Sequence, residues 1–74
     1  MFPKRGIGKL ATVEQFRKIR EFYERSLSRD KARALIRYYR IKGWTSERAC
    51  TEIARLEYLE KKGLPTTPEH YEEI

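Results

Sequence analysis

Apolar residues recur at three- and four-residue intervals in three stretches of the chain, and this interval limits the fold more than any other feature. In the first stretch the regularly spaced residues are Val13, Phe16, Ile19, Tyr23 and Leu27. At about 100° per residue they occupy one face of an α-helix. The later stretches repeat this spacing with Ala32, Leu35, Ile36 and Tyr39, and then with Ala49, Ile53, Leu56 and Leu59. We therefore predict an all-α protein, a small three-helix bundle.

Local signals mark the ends of the predicted helices. The spacing of Thr12 and Gln15 is that of a capping box, which predicts a first helix over 13–26. Gly43 suits the position just past the end of a second helix, because glycine readily adopts the left-handed conformation found there. A third helix is predicted over 46–62.

The junction between the first two helices, residues 26–30, has the sequence SLSRD. It contains no Gly or Pro, but its Ser and Asp side chains can bond to the local backbone and favour a turn. An unbroken helix would also rotate the second apolar set by roughly 150° from the first. We therefore favour two helices. One helix over 13–42 is the alternative, since Ala34, Tyr38 and Ile41 stay in phase with the first stretch.

The remaining segments are predicted to be less regular. Residues 1–11 are expected to form a flexible basic arm, 12–63 the three-helix domain, and 64–74 a linker followed by a short C-terminal fourth helix. That helix would begin at Pro68, since proline suits the first helical position. Trp44 is expected to plug the core, because so large a side chain dominates burial in a small domain.

Length and cysteine usage narrow the class of protein. A chain of 74 residues predicts one domain. Its single cysteine excludes an internal disulfide, which fits a reducing compartment. No apolar run approaches the roughly 18 residues that a membrane span needs, and the first residues lack the apolar region of a signal peptide. We expect a soluble cytoplasmic protein without a membrane partner, associated with the nucleoid if it binds DNA.

Few side chains are suited to catalysis. Cys50 is expected on the inner side of the third helix, where a thiol is usually inert. His70 is the only histidine, so a Cys–His nucleophile pair is the only alternative of this kind. A metal site would need three or four ligands at paired spacings. We predict a protein that is not an enzyme, with no catalytic residue, metal, cofactor or small-molecule substrate.

Positive charge is concentrated in the first half of the chain. Residues 1–42 carry 13 Lys and Arg against 4 Asp and Glu, a net charge of +9. Residues 43–74 carry 4 against 7, a net charge of −3. Such asymmetry suggests a polyanionic partner for the first half.

The arginines of the second helix sharpen this hypothesis. Arg29, Arg33, Arg37 and Arg40 lie within about 80° of one another on a helix and span roughly 16 Å. The planar guanidinium suits phosphate. We predict a small nucleic-acid-binding protein, DNA favoured over RNA, that acts as a regulatory, packaging or accessory factor. The predicted contact residues are Lys4, Arg5, Lys9, Arg29, Arg33, Arg37, Arg40, Lys42 and Arg48.

The segment 32–56, with its turn Gly43-Trp44-Thr45 and the following Ala49, resembles a helix-turn-helix in outline. The resemblance implies DNA binding with the third helix as reader. That helix is expected to expose Glu47 and Glu52, which phosphates would repel. The second helix and the basic arm are therefore expected to make most phosphate contacts. The same outline is similar to small protein-binding modules of the ubiquitin-associated kind.

A second hypothesis rests on apolar residues that one small core would leave uncovered. Phe22, Tyr38 and Ile41 lie off the main stripes, and exposed apolar patches mark partner surfaces. The alternative function is a protein–protein interaction module or a small structural subunit of a larger complex. A homodimer that binds nucleic acid would satisfy both hypotheses.

Overall fold

A computed structural model of the protein describes residues 9–69. Within this range the chain forms three helices, α1 (Val13–Glu24), α2 (Arg29–Lys42) and α3 (Ser46–Lys61). The predicted small all-α fold with three helices is confirmed. The predicted fourth helix is not: Pro68 and Glu69 are not helical, and the rest of that segment lies outside the described residues.

Local hydrogen bonds cap the helices close to the predicted ends. Thr12 Oγ1 accepts from the Gln15 amide at 3.1 Å, and Gln15 Oε1 accepts from the Thr12 amide at 2.8 Å, which completes the capping box. Ser28 caps α2, so the first two helices are separate, as the phase of their apolar faces predicted. Gly43 ends α2 with a φ of +77°, and Thr45 caps α3.

Helix α1 is the centre of the fold, since it packs against both α2 and α3. Helices α2 and α3 follow one another through the turn at Gly43, and each packs on α1. Buried apolar side chains come from all three helices: Phe16, Ile19, Phe22, Tyr23, Ala32, Leu35, Ile36, Tyr39, Ala49 and Leu56.

Two predictions about the first helix are wrong. Val13, placed in the apolar stripe, is 74% exposed. It is the first residue of α1, so its side chain lies beyond the edge of the core. Phe22, predicted to belong to a partner interface, is 5% exposed and is part of the core instead. The guanidinium carbon of Arg25 lies 4.8 Å from the centroid of its ring.

A buried polar cluster joins α1, α2 and α3. The Glu52 carboxylate accepts two hydrogen bonds from Arg55, at 2.9 and 2.7 Å, and a third from the Tyr23 hydroxyl. Because Tyr23 uses its one proton there, the Tyr39 hydroxyl donates to the Tyr23 oxygen at 3.2 Å. Glu52 is only 8% exposed, so its predicted exposure on α3 is wrong. Cys50, predicted on the inner side of α3, is exposed.

This environment changes the acidity of the buried groups. Burial, together with the hydrogen bond to Glu52, raises the pKa of the Tyr23 phenol well above its usual range. Burial also raises the pKa of Tyr39. Hydrogen bonding to Glu52 raises the pKa of Arg55, so the guanidinium keeps its charge beside the carboxylate. A buried charge is tolerated when it is paired and fully hydrogen-bonded, as Glu52 is.

Residues 64–68, predicted as a linker and the start of the fourth helix, form a C-terminal strap in which Thr66 and Pro68 are buried. Thr66 is 3% exposed. Its hydroxyl donates to the Phe22 carbonyl at 2.6 Å, and its amide donates to Ser26 Oγ at 2.8 Å. Arg55 donates to the Thr67 carbonyl at 2.6 Å. The strap therefore ties the end of α3 to the end of α1.

The segment that precedes α1 is also held at its last residues. The Ala11 amide donates to the Trp44 carbonyl at 2.9 Å, and the Ser46 amide donates to the Lys9 carbonyl at 2.8 Å. These bonds accompany an isolated antiparallel bridge between Leu10 and Thr45. Residues 9–11 are thus fixed against the α2–α3 turn, which corrects the prediction of a flexible arm for that part.

Candidate nucleic-acid interface

The three helices differ sharply in charge. Helix α2 carries six basic residues and one acidic residue. Helix α1 carries three of each, and α3 carries three basic and four acidic residues. The positive surplus of the described helices therefore resides in α2.

The three cations of α1, together with Arg55 of α3, have carboxylate partners. Lys18 on α1 lies 3.4 Å from Glu57 on α3, and Arg25, just past the end of α1, pairs with Glu60. Within α1, Arg17 pairs with Glu14. These pairs are exposed, and the first two bridge α1 and α3. The charge on this side of the molecule is largely matched inside the protein.

The α2 arginines are arranged differently. Arg29, Arg33, Arg37 and Arg40 are all exposed. None of them forms an ion pair with another residue between positions 9 and 69. The guanidinium carbon of Arg40 lies 6.0 Å from the centroid of the Phe16 ring, a contact that leaves its hydrogen-bond donors available.

Three of these arginines line a groove with a fourth that sequence reasoning missed. The arginine groove, about 500 Å³ in volume, lies between α1 and α2. Its lining residues are Arg20, Arg33, Ile36, Arg37, Arg40 and Ile41. Arg20 comes from α1, where its buried Nε lies 3.4 Å from a carboxylate oxygen of Glu24. That contact is an ion pair and does not have the geometry of a hydrogen bond. The groove thus offers four guanidinium groups to an anion.

Arg20 carried no local signal of this role. In sequence it is one of several α1 cations and stands four residues before Glu24, the spacing of an ordinary helical ion pair. Only the packing of α1 against α2 brings it beside Arg33 and Arg37. Its place in the groove therefore depends on tertiary structure.

A second cavity lies where α2 turns into α3. This turn cavity, about 490 Å³ in volume, is lined by Tyr38, Tyr39, Lys42, Gly43, Trp44, Thr45, Arg48, Glu52, Pro68 and Glu69. The rings of Tyr39 and Trp44 are stacked, with centroids 3.8 Å apart and planes at 10°. Trp44 is half-buried against the core and forms part of the cavity wall, so it only partly plugs the core as predicted.

Two predicted contact residues belong to this cavity and not to the groove. The guanidinium carbon of Arg48 lies 4.7 Å from the Trp44 ring centroid. The ammonium of Lys42 lies 5.4 Å from the Tyr38 ring centroid. The structure thus places Arg33, Arg37 and Arg40 in the groove and Lys42 and Arg48 in the turn cavity, whereas Arg29 lines neither.

The remaining predicted residues have separate positions. Lys9 is exposed, and its carbonyl accepts from the Ser46 amide. Lys4 and Arg5 lie outside the described residues. Tyr38 and Ile41, predicted at a partner interface, are exposed, Tyr38 in the turn cavity and Ile41 in the arginine groove.

Residues 9–69 contain neither a metal-binding cluster nor a membrane-spanning helix. No cluster of His, Cys, Asp and Glu side chains in this range is large enough to hold a metal ion. None of the three helices has the length and apolar character needed to cross a membrane. Comparisons with protein-family models, with curated proteins and with solved structures find no match to the chain.

Proposed function

We propose that the protein binds nucleic acid by gripping backbone phosphates in the arginine groove. The observation that carries this proposal is the set of three α2 arginines that line the groove without a carboxylate partner among residues 9–69, with Arg20 beside them. Guanidinium groups bind phosphate through paired hydrogen bonds. An anion in the groove would relieve the repulsion among the arginines.

The groove also favours DNA over RNA as the partner. Ile36 and Ile41 lie beside the arginines, and Ile41 is 78% exposed. A protein distinguishes RNA through hydrogen bonds to the ribose 2′-hydroxyl. An apolar wall supplies no such partner, and it suits deoxyribose better because burying an unbonded hydroxyl is unfavourable.

The role that fits such a chain is that of a binding protein, not an enzyme. It would act in the cytoplasm as a regulatory, packaging or accessory factor, associated with the nucleoid where DNA is its partner. The phosphate grip needs no cofactor or metal. The first-half surplus of positive charge would draw the protein toward a polyanion before the groove is occupied.

The test is a charge-removing variant with a matched control. Replacing Arg33, Arg37 and Arg40 by Gln should lower DNA affinity by about 100-fold or more at low salt, because each lost phosphate contact reduces the salt slope by about 0.9. Fluorescence anisotropy over a salt series measures both quantities. Circular dichroism should show unchanged helicity, since all three side chains are exposed.

The control removes equal charge from cations that already have carboxylate partners. Replacing Arg17, Lys18 and Arg25 by Gln should reduce affinity by only about fivefold or less, through the weaker overall field. Equal losses in the two variants would reduce the proposal to non-specific charge attraction. A parent protein that binds no DNA or RNA at low salt would overturn it.

An interaction surface remains the second candidate function. It is favoured by the exposure of Ile41 and of Leu10, which is 67% exposed. These residues would serve a protein partner or a second copy of the chain. A parent that binds no nucleic acid but sediments as a dimer would make this the leading hypothesis.

A further inference from the structure

We infer that the turn cavity binds one unpaired nucleobase, and that the protein therefore prefers single-stranded nucleic acid to duplex. This inference rests on the proposed function, which concerns the phosphates, and adds a site for a base. Proteins that bind single strands combine a basic path for the backbone with aromatic side chains on which bases stack. The structure has both elements on one helix.

The aromatic side chains of the cavity are a fixed pair, Tyr39 and Trp44, and one exposed ring, Tyr38. Tyr39 is buried, its hydroxyl bonds to Tyr23, and its ring is stacked on Trp44. These contacts hold the cavity wall in place. Tyr38 is 43% exposed, with its ring centroid 6.1 Å from that of Tyr39. The exposed Tyr38 ring can therefore receive a base without disturbing the core.

The charges around the cavity favour the base of a phosphorylated strand. Lys42 and Arg48 are exposed beside Tyr38 and Trp44. Of the two carboxylates in the lining, Glu52 is already neutralised by its paired hydrogen bonds to Arg55, which leaves Glu69. A cationic ligand such as a methylated lysine also binds aromatic rings, but Lys42 and Arg48 would repel it.

The two cavities lie on adjoining sides of α2. Arg37 lines the groove and the next residue, Tyr38, lines the turn cavity. The same holds for Ile41 and Lys42. Consecutive helical residues differ by about 100° around the axis, so a strand whose phosphates follow the groove passes the mouth of the cavity. In a duplex the bases are stacked and paired, and extruding one costs a few kcal/mol.

The test compares three DNA probes of one sequence: the single strand, its duplex, and the single strand with abasic sites in place of bases. The parent should bind the single strand most tightly. Tyr38→Ala should weaken binding of the single strand by about 5- to 100-fold, the range for losing one stacked base. It should leave binding of the abasic strand unchanged, because that probe keeps only its phosphates.

Tyr58 provides a matched control. It is an exposed tyrosine on α3 with the Lys62 ammonium 5.7 Å from its ring centroid, the same pairing as Tyr38 and Lys42. Tyr58→Ala should leave all three affinities unchanged. Trp44 is the only tryptophan, so its fluorescence should change with the single strand and not with the abasic strand.

The outcomes separate this inference from the proposal on which it rests. Salt-dependent binding that is equal for duplex, single strand and abasic strand would overturn the base site and retain the phosphate groove. An equal loss for Tyr38→Ala on the intact and abasic strands would also overturn the base site. Failure of all three probes to bind would overturn both.

Discussion

The two sides of α1 meet neighbours of opposite electrostatic character. On the side toward α3, Lys18 and Arg25 pair with carboxylates of α3, and the buried Glu52 carboxylate lies at the centre of a hydrogen-bonded cluster. Toward α2 the packing is apolar at the core, and the outer face carries arginines that have no carboxylate partner among residues 9–69. We call the paired charges between α1 and α3, together with the Glu52 cluster, the closed system. The α2 arginines without a carboxylate partner among residues 9–69 are the open system.

This difference separates charges that hold the structure from charges available for binding. Lys18 and Arg25 are matched within the protein, so an external phosphate would have to compete with Glu57 and Glu60. Arg33 and Arg37 have no such competitor among the residues that the structure describes. Counting arginines in the sequence cannot distinguish these cases, because the distinction depends on where the carboxylates lie in three dimensions.

The largest effect on stability is expected from removing Glu52, the carboxylate at the centre of the closed system. Glu52→Ala would leave Arg55 without its carboxylate and the Tyr23 hydroxyl without its acceptor. Removing one partner of a buried pair costs several kcal/mol, and Arg55 keeps its bond to Thr67, so we expect about 2–4 kcal/mol. Urea denaturation measures this loss.

For a domain of this size, that loss is a large share of a total near 4–11 kcal/mol. The folded fraction of Glu52→Ala should still bind duplex DNA with nearly the affinity of the parent, because Glu52 lines the turn cavity and not the arginine groove. A destabilisation below about 1 kcal/mol would show that the cluster is not a stabilising centre.

Alkaline pH should also destabilise the closed system, because its buried tyrosines Tyr23 and Tyr39 are protonated in the folded state. The pKa of Tyr23 and that of Tyr39 are raised in the folded protein, whereas in the unfolded chain both titrate near pH 10. The folded state therefore keeps protons that the unfolded state loses. Their contribution to stability is fully present below about pH 10 and declines above it, by about 1.4 kcal/mol per pH unit for each tyrosine.

Urea denaturation at intervals between about pH 9 and pH 11 would measure this decline. Tyr23→Phe is the comparison variant, since it removes one of the two titrating groups. Its stability should fall less steeply with pH than that of the parent. Parallel curves would mean that other groups, such as the surface lysines, cause the alkaline loss.

The smallest effect on stability is expected from the exposed ion pairs of the closed system. Arg25→Gln and Lys18→Gln each remove one exposed ion pair between α1 and α3, and exposed pairs contribute at most about 1 kcal/mol. A double-mutant cycle on Arg25 and Glu60 isolates the pair energy in thermal denaturation. A coupling energy above about 2 kcal/mol would mean that these surface pairs, and not only the buried cluster, determine how α1 and α3 associate.

The parts of the fold that depend on neighbours in sequence were predictable. The capping box at Thr12 and the left-handed Gly43 are local devices, and each lies where the sequence indicated. The phase jump in the apolar pattern also separated α1 from α2 correctly, because it depends only on helical geometry.

The errors concern residues whose environment comes from distant segments. Glu52 is buried because Tyr23 from another helix supplies a donor, and Phe22 is buried in a core formed by all three helices. Cys50 faces outward although its type favours burial. The same limit applies to the candidate site: the α2 stripe could be read from spacing, but Arg20 and the turn cavity required the packing of the helices.

The C-terminal strap has a consequence for the order in which the protein can fold during synthesis. Thr66 bonds to Ser26 and to the Phe22 carbonyl, partners 40 and 44 residues earlier in the chain. Helices α1 and α2 are close in sequence and can pair while the chain is still emerging from the ribosome, whereas contacts across so large a separation form late. The arginine groove can therefore exist before the fold is closed, and the strap completes the fold last.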